Sequence, residues 1–106
     1  KRERLDLFSN EKTGERVWME RWEAGYQSDQ WLVHEGGEEI FVLKGDMTFQ
    51  NVDGSNDENN QHHCTDGFWI RRPIDWHERR FHVKTQQGCQ LFIKSGHLAM
   101  NLEGIN

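Results

Sequence analysis

Period-2 alternation of apolar and polar positions dominates this chain from residue 16 onward, and a sustained 3.6-residue period occurs nowhere in it. The stretch RVWMERW sets Val17 and Met19 against Trp18, Glu20 and Trp22, the signature of a strand with heavy aromatic loading. Further strands are predicted over residues 30–34, 39–45, 46–52, 67–73, 79–85 and 89–95. Turn formers separate them: Glu-Ala-Gly at 23–25, Gln-Gln-Gly at 86–88, and the wholly polar run 53–61, a hairpin loop. Residues 1–15 form a charged entry segment with one short strand around 5–8, and the domain proper is predicted over 16–106. The tail from His97 is either a final strand or a partner contact. Seven to nine short strands with turns about every ten residues imply an all-β fold, an antiparallel sandwich or barrel.

Length and composition narrow this picture. A chain of 106 residues makes one domain with a single modest core. Five Trp and six Phe supply enough apolar area to fold a chain whose charged fraction is 29%. A net charge of −5 argues against nucleic-acid and anionic-membrane partners. The basic pairs Arg71-Arg72 and Arg79-Arg80 are short and flanked by Asp75 and Glu78. Two cysteines, Cys64 and Cys89, permit one disulfide but no disulfide framework. With no signal-peptide or membrane-span pattern, a cytoplasmic location is expected.

The candidate chemistry centres on VHEGGEEIFVLKG, residues 33–45. Side chains at i and i+2 of a strand share a face, which pairs Leu32 with His34. Across the Gly36-Gly37 turn, His34 and Glu38 converge as imidazole and carboxylate ligands for a metal; from this spacing alone a surface histidine beside a solvated glutamate pair is the commoner meaning. A second stretch, GFWIRRPIDWH, ends on His77. If the two hairpins face each other, His34, Glu38 and His77 form the two-histidine, one-carboxylate set that suits a non-haem metal. Trp76 and Trp69 are placed at the pocket, together with one of Arg71 and Arg72, where a guanidinium would take a carboxylate-bearing ligand. Lower in rank stand His62 and Cys64 as a zinc pair, residues 53–64 as a calcium loop, and His82 as a substitute ligand. Cys89 reads as a buried small side chain.

These residues resemble the cupins. His34, Glu38 and Gly45 fit the second half of the first cupin motif, and Gly67, Pro73 and His77 the second. The order of GGEEI-VL-G, G-W-RRP and GCQLFIK is most similar to the cupin domain of zinc-dependent anti-sigma factors of the ChrR type, over residues 16–94. The resemblance implies a single antiparallel β-barrel or jelly roll, a homodimer, and one divalent transition metal (Zn, Fe, Mn or Ni). It also implies a small-molecule partner. Cupins bring His-x-His from the first strand, and here Leu32 stands at the first of those positions, while His77 follows Pro73 one residue early. Three functions follow: a metal-binding sensory or ligand-binding domain, a non-haem dioxygenase or isomerase, or a metal-free β-barrel interaction module.

Overall fold

The computed structural model describes residues 1–51, 61–73 and 80–98. Among these, eight strands form: β1 (Arg2–Ser9), β2 (Arg16–Trp22), β3 (Gln27–Leu32), β4 (Glu38–Asn51), β5 (Gln61–Thr65), β6 (Trp69–Arg72), β7 (Arg80–Lys84) and β8 (Cys89–Ser95). They hydrogen-bond in the order β1-β2-β8-β4-β7-β3, with β5 and β6 each paired to β4. Every pairing is antiparallel.

The long strand β4 organises the fold. Its first half pairs with β6 and β8, which continue to β2 and β1 as sheet A. Its second half pairs with β5 and β7, and β7 carries β3, as sheet B. The two sheets curl around one core as an open antiparallel barrel. The joint is Gly45, at φ 93°, where an added Cβ would lie 2.0 Å from the Gly88 carbonyl oxygen. Only glycine tolerates both that backbone region and that approach. Asp46, the next residue, turns its carboxylate onto the β7–β8 connection. It accepts from the Gln86 and Gln87 amides at 3.1 and 2.8 Å and from the Thr85 hydroxyl at 3.0 Å.

Alternation decides which side chains fill the barrel. Trp18, Glu20 and Trp22 of β2, Leu91 and Ile93 of β8, and Ile40 and Val42 of β4 point inward and are buried. Phe49, Phe81, Val83 and Trp31 close the core from sheet B. Cys64 and Cys89 are both free and buried rather than bridged, and burial pushes the Cys89 thiol up to about 12.

The all-β barrel expected from the alternation is the fold observed. Strands predicted at 16–22 and 89–95 have those bounds. Those predicted at 39–45 and 46–52 are one continuous strand, which bends at Gly45, where its ladder with β8 ends and its ladder with β5 begins. The entry segment is an eight-residue edge strand of sheet A, and β5 is a strand that the pattern did not reveal. Of the loop predicted at 53–61, only Gln61, the first residue of β5, lies within the described residues.

Candidate ligand-binding site

A cleft of about 670 Å³ opens between the two edges of the curled sheet, with β1 and β2 on one side and β3 and its following turn on the other. Two buried carboxylates stand in its wall. Glu20 lies between Trp18 and Trp22 on the inward face of β2, and both indoles donate to it, at 2.7 and 2.9 Å. Arg2, reaching in from β1, completes the set as a bidentate donor at 2.6 and 2.8 Å. A charge in the middle of an aromatic face must be neutralised, and the edge strand supplies the guanidinium. Arg4, two residues on, lies 4.2 Å from the Trp18 ring centroid.

Glu38, the first residue of β4, is buried equally well. Trp31 Nε1 donates to its two oxygens at 3.1 and 3.4 Å, and Arg72 Nη1 donates to Oε2 at 2.5 Å. Arg72 is itself 2% exposed, and its guanidinium carbon lies 4.4 and 4.2 Å from the Phe49 and Phe81 ring centroids. Burial pushes the Glu38 carboxyl above its ordinary value, and Arg72 and Trp31 pull against that rise. Glu38 and Arg72 face each other directly in the β4–β6 ladder.

The residues expected at the site fall into three places. Glu38 is in the cleft wall. His34 and Leu32 lie on its rim and are exposed, Leu32 at 67%; the His34 Nδ1 accepts from the Gly36 amide at 2.9 Å. Trp69 and Arg71 stand outside the barrel, on the outer face of sheet A, because alternation along β6 turns Ile70 and Arg72 inward. Of the two arginines it is therefore Arg72 that enters the barrel, where it holds Glu38. Trp76 and His77 lie outside the described residues. His62 and His63 are exposed on β5 while Cys64 is buried, and His82 is exposed on β7.

The inward positions of the first motif strand are not those of Leu32 and His34. Trp31 and Val33 are 9% and 1% exposed, and they flank the path to Glu38. The two inward positions ahead of Glu38 are thus filled by an indole and an isopropyl group. The described residues do not fit a transition metal. Glu38 has both oxygens engaged, a buried guanidinium already occupies the cation's place beside it, and no three His, Cys, Asp or Glu side chains come together among them. A divalent ion at Glu38 would have to displace Arg72 in a low-dielectric interior.

Glu20, Arg2 and Trp31 were not singled out as site residues in the sequence. The signal for Glu20 is Trp-x-Glu-x-Trp within a period-2 strand, which puts a carboxylate between two indoles on the buried face. Nothing in the sequence marks Arg2, whose role depends on β1 pairing with β2.

An open antiparallel barrel with a cleft between its edge strands, built from a bent central strand, defines a cupin-type protein. The sequence matches the family described as the ChrR Cupin-like domain over residues 2–99, and the chain belongs to that family. No curated protein matches it. Among solved structures it is similar to a cupin superfamily protein of Desulfitobacterium hafniense, at 7% identity and TM-score 0.69, covering 90% of this chain and 76% of that one. An acetylacetone dioxygenase of Acinetobacter johnsonii is 17% identical with TM-score 0.69, covering 89% of this chain and 58% of that one. The Schizosaccharomyces pombe Cnp3 cupin domain is 13% identical with TM-score 0.69, covering 99% and 72%. At these identities the likeness is one of fold. Among the described residues no helix is long and apolar enough to cross a membrane.

Proposed function

We propose that this cupin is a small-molecule-binding module whose cleft works without a transition metal. The observation that carries this reading is the Glu38–Arg72 pair: the one expected carboxylate ligand that is buried in the barrel is held by a resident guanidinium and an indole. The ligand class that suits the cleft is a small organic acid with a planar apolar body. Trp18, Tyr26 and Trp31 offer ring surface, and Arg16 brings positive charge to the mouth, while Arg2 is matched by Glu20 and Arg4 by Asp6.

Two measurements test this. Tag-free protein dialysed against Zn, Fe, Mn or Ni and analysed for metal should carry far less than one ion per chain. One ion per chain, lost on Glu38→Gln or His77→Ala, would restore the metal-dependent sensor or dioxygenase reading. Aromatic carboxylates should quench tryptophan fluorescence saturably, and the corresponding neutral amides should bind at least tenfold more weakly. Equal binding of acid and amide would overturn the ligand class.

A further inference from the structure

The ionised side chains around the cleft do not all cancel. Arg2 is held by Glu20, Arg4 by Asp6, and Glu38 by Arg72. Arg16 and Glu35 also line the cleft, both are exposed, and neither has a hydrogen-bond or ion-pair partner among the described residues. The segments that carry them lie close together. A Cβ added to Gly14, two residues before Arg16, would lie 4.0 Å from the His34 ring, and His34 precedes Glu35. One unmatched cation and one unmatched anion thus share the mouth without meeting each other. Beside Arg16 is a hydroxyl with the same lack. The register of sheet A sets Arg16 opposite Ser95, Ser95 opposite Glu38, and Glu38 opposite Arg72, in one row across the inward face. Directly opposed residues in such a row hold their Cβ atoms about 5 Å apart. Ser95 lines the cleft, is 2% exposed, and its hydroxyl has no partner among the described residues. A buried polar group without a partner is unfavourable, and a carboxylate seated between Arg16 and Ser95 would satisfy the hydroxyl and the guanidinium together.

We infer that the ligand is a zwitterion, an aromatic α-amino acid, with its carboxylate on Arg16 and Ser95 and its ammonium on Glu35. The inference rests on the acid-binding reading of the cleft and narrows it. A simple aromatic acid would bring its one charge toward Glu35 as well as Arg16, and the approach of like charges costs affinity. An α-amino acid carries both charges on one carbon and meets both unmatched side chains at once. The aromatic body then runs inward from the mouth past Trp18, two residues along β2 from Arg16 on the same face, toward Trp31. Deeper in the cleft the wall charges are already paired, Glu20 with Arg2 and Glu38 with Arg72, so the inner end of the ligand is uncharged.

Isothermal titration of the full chain with three probes reads the two charges separately. L-Phenylalanine should bind at least threefold more tightly than 3-phenylpropanoate, which lacks the ammonium, and at least tenfold more tightly than phenylalaninamide, which lacks the carboxylate. Glu35→Gln should abolish the preference for phenylalanine over phenylpropanoate, and Arg16→Gln should weaken both at least fivefold. Both residues are exposed, so neither exchange disturbs the core. Equal binding of phenylalanine and phenylpropanoate, or a preference that survives Glu35→Gln, would overturn the zwitterion while the acid-binding cleft stands. Undiminished binding in Arg16→Gln would overturn the seat of the carboxylate. Binding of none of the three probes would overturn the zwitterion and the acid-binding reading together.

Discussion

Replacing Arg72 by methionine is the sharpest perturbation of this barrel. Methionine keeps much of the apolar volume against Phe49 and Phe81 but removes the cation that lies against Glu38, leaving a carboxylate of 4% side-chain exposure with, among the described residues, the Trp31 indole as its partner. Breaking one side of a buried ion pair costs about 3–5 kcal/mol. Against a domain stability of about 5–15 kcal/mol, that removes a large share. The loss should depend on pH in a defined direction. Burial already raises the Glu38 carboxyl above its unfolded value of 4.5, and without Arg72 it rises further. A carboxyl whose folded value is raised favours the folded state while protonated, and that advantage is lost as pH climbs from the unfolded value through the folded one. Arg72→Met should therefore be most destabilised at pH 8 and regain stability as pH falls toward 5.

Urea unfolding of the wild type, Arg72→Met, Glu38→Leu and the double variant forms the cycle that isolates the pair. Each single variant should lose about 3 kcal/mol or more, and the double should lie close to the wild type, because well-packed apolar pairs replace buried ion pairs at little net cost. Additive losses, or an Arg72→Met loss below about 1 kcal/mol at pH 8, would refute the argument that Arg72 is the obligatory counter-charge of Glu38.

Asp46→Asn should cost about 1–3 kcal/mol at neutral pH, since the amide cannot replace a carboxylate that accepts three hydrogen bonds. Burial works to raise Asp46, but the Gln86 and Gln87 amides and the Thr85 hydroxyl outweigh it and hold the carboxyl below its unfolded 3.8. The wild-type advantage should thus be present above pH 3.8 and vanish as pH falls below it, as followed by urea titrations at stepped pH. Gly45→Ala should lower the thermal midpoint by 10 °C or more or prevent folding, because its Cβ would meet the Gly88 carbonyl; a shift of under 3 °C would show that the bend relaxes. Native Cys89 should react with a thiol reagent at pH 8 orders of magnitude more slowly than the unfolded chain, because burial holds it protonated. Building the triple variant Trp31→His, Val33→His, Arg72→Met should give the barrel measurable zinc affinity by isothermal titration, and no heat above the wild type would mean that these positions do not face one point.

The fold was legible because strands announce themselves by alternation. RVWMERW and CQLFIKS carry strong apolar periodicity between clear turns, and both strands have their predicted bounds. What alternation does not reveal is pairing. Nothing within residues 1–15 shows that they form an edge strand whose Arg2 reaches a carboxylate eighteen positions away, since that contact exists only once the β1–β2 register is set. β5 escaped for a related reason. His62 and His63 are polar and exposed, and only Cys64 turns inward, so a strand with one buried side chain has no period to read.

The candidate site turned on a single residue of phase. Reading His34 as the inward residue of its strand also turns Leu32 inward, and the first motif then appears to lack one ligand. In the barrel the inward set is Trp31 and Val33, so both inward positions are apolar and His34 is rim. A slip of one residue exchanges the two faces of a strand completely, and the chain carries a cue against the slip: Trp31 and Val33 are the residues a buried strand face wants, while His34 and Glu35 are those that solvent wants. The same phase rule applied to β6 separates Arg71 from Arg72 and sends Arg72 into the barrel. Once Arg72 is inside, Glu38 has a counter-charge without any metal. Among the described residues, a buried glutamate, two apolar inward neighbours and an inward arginine are mutually consistent: Glu38 and Arg72 close a buried charge balance. Glu20 and Arg2 repeat that balance on the opposite wall of the cleft, with Trp18 and Trp22 in the place of Trp31. Two independent glutamate–arginine pairs, each steadied by indole N–H groups, argue that this interior is organised around its own side-chain cations.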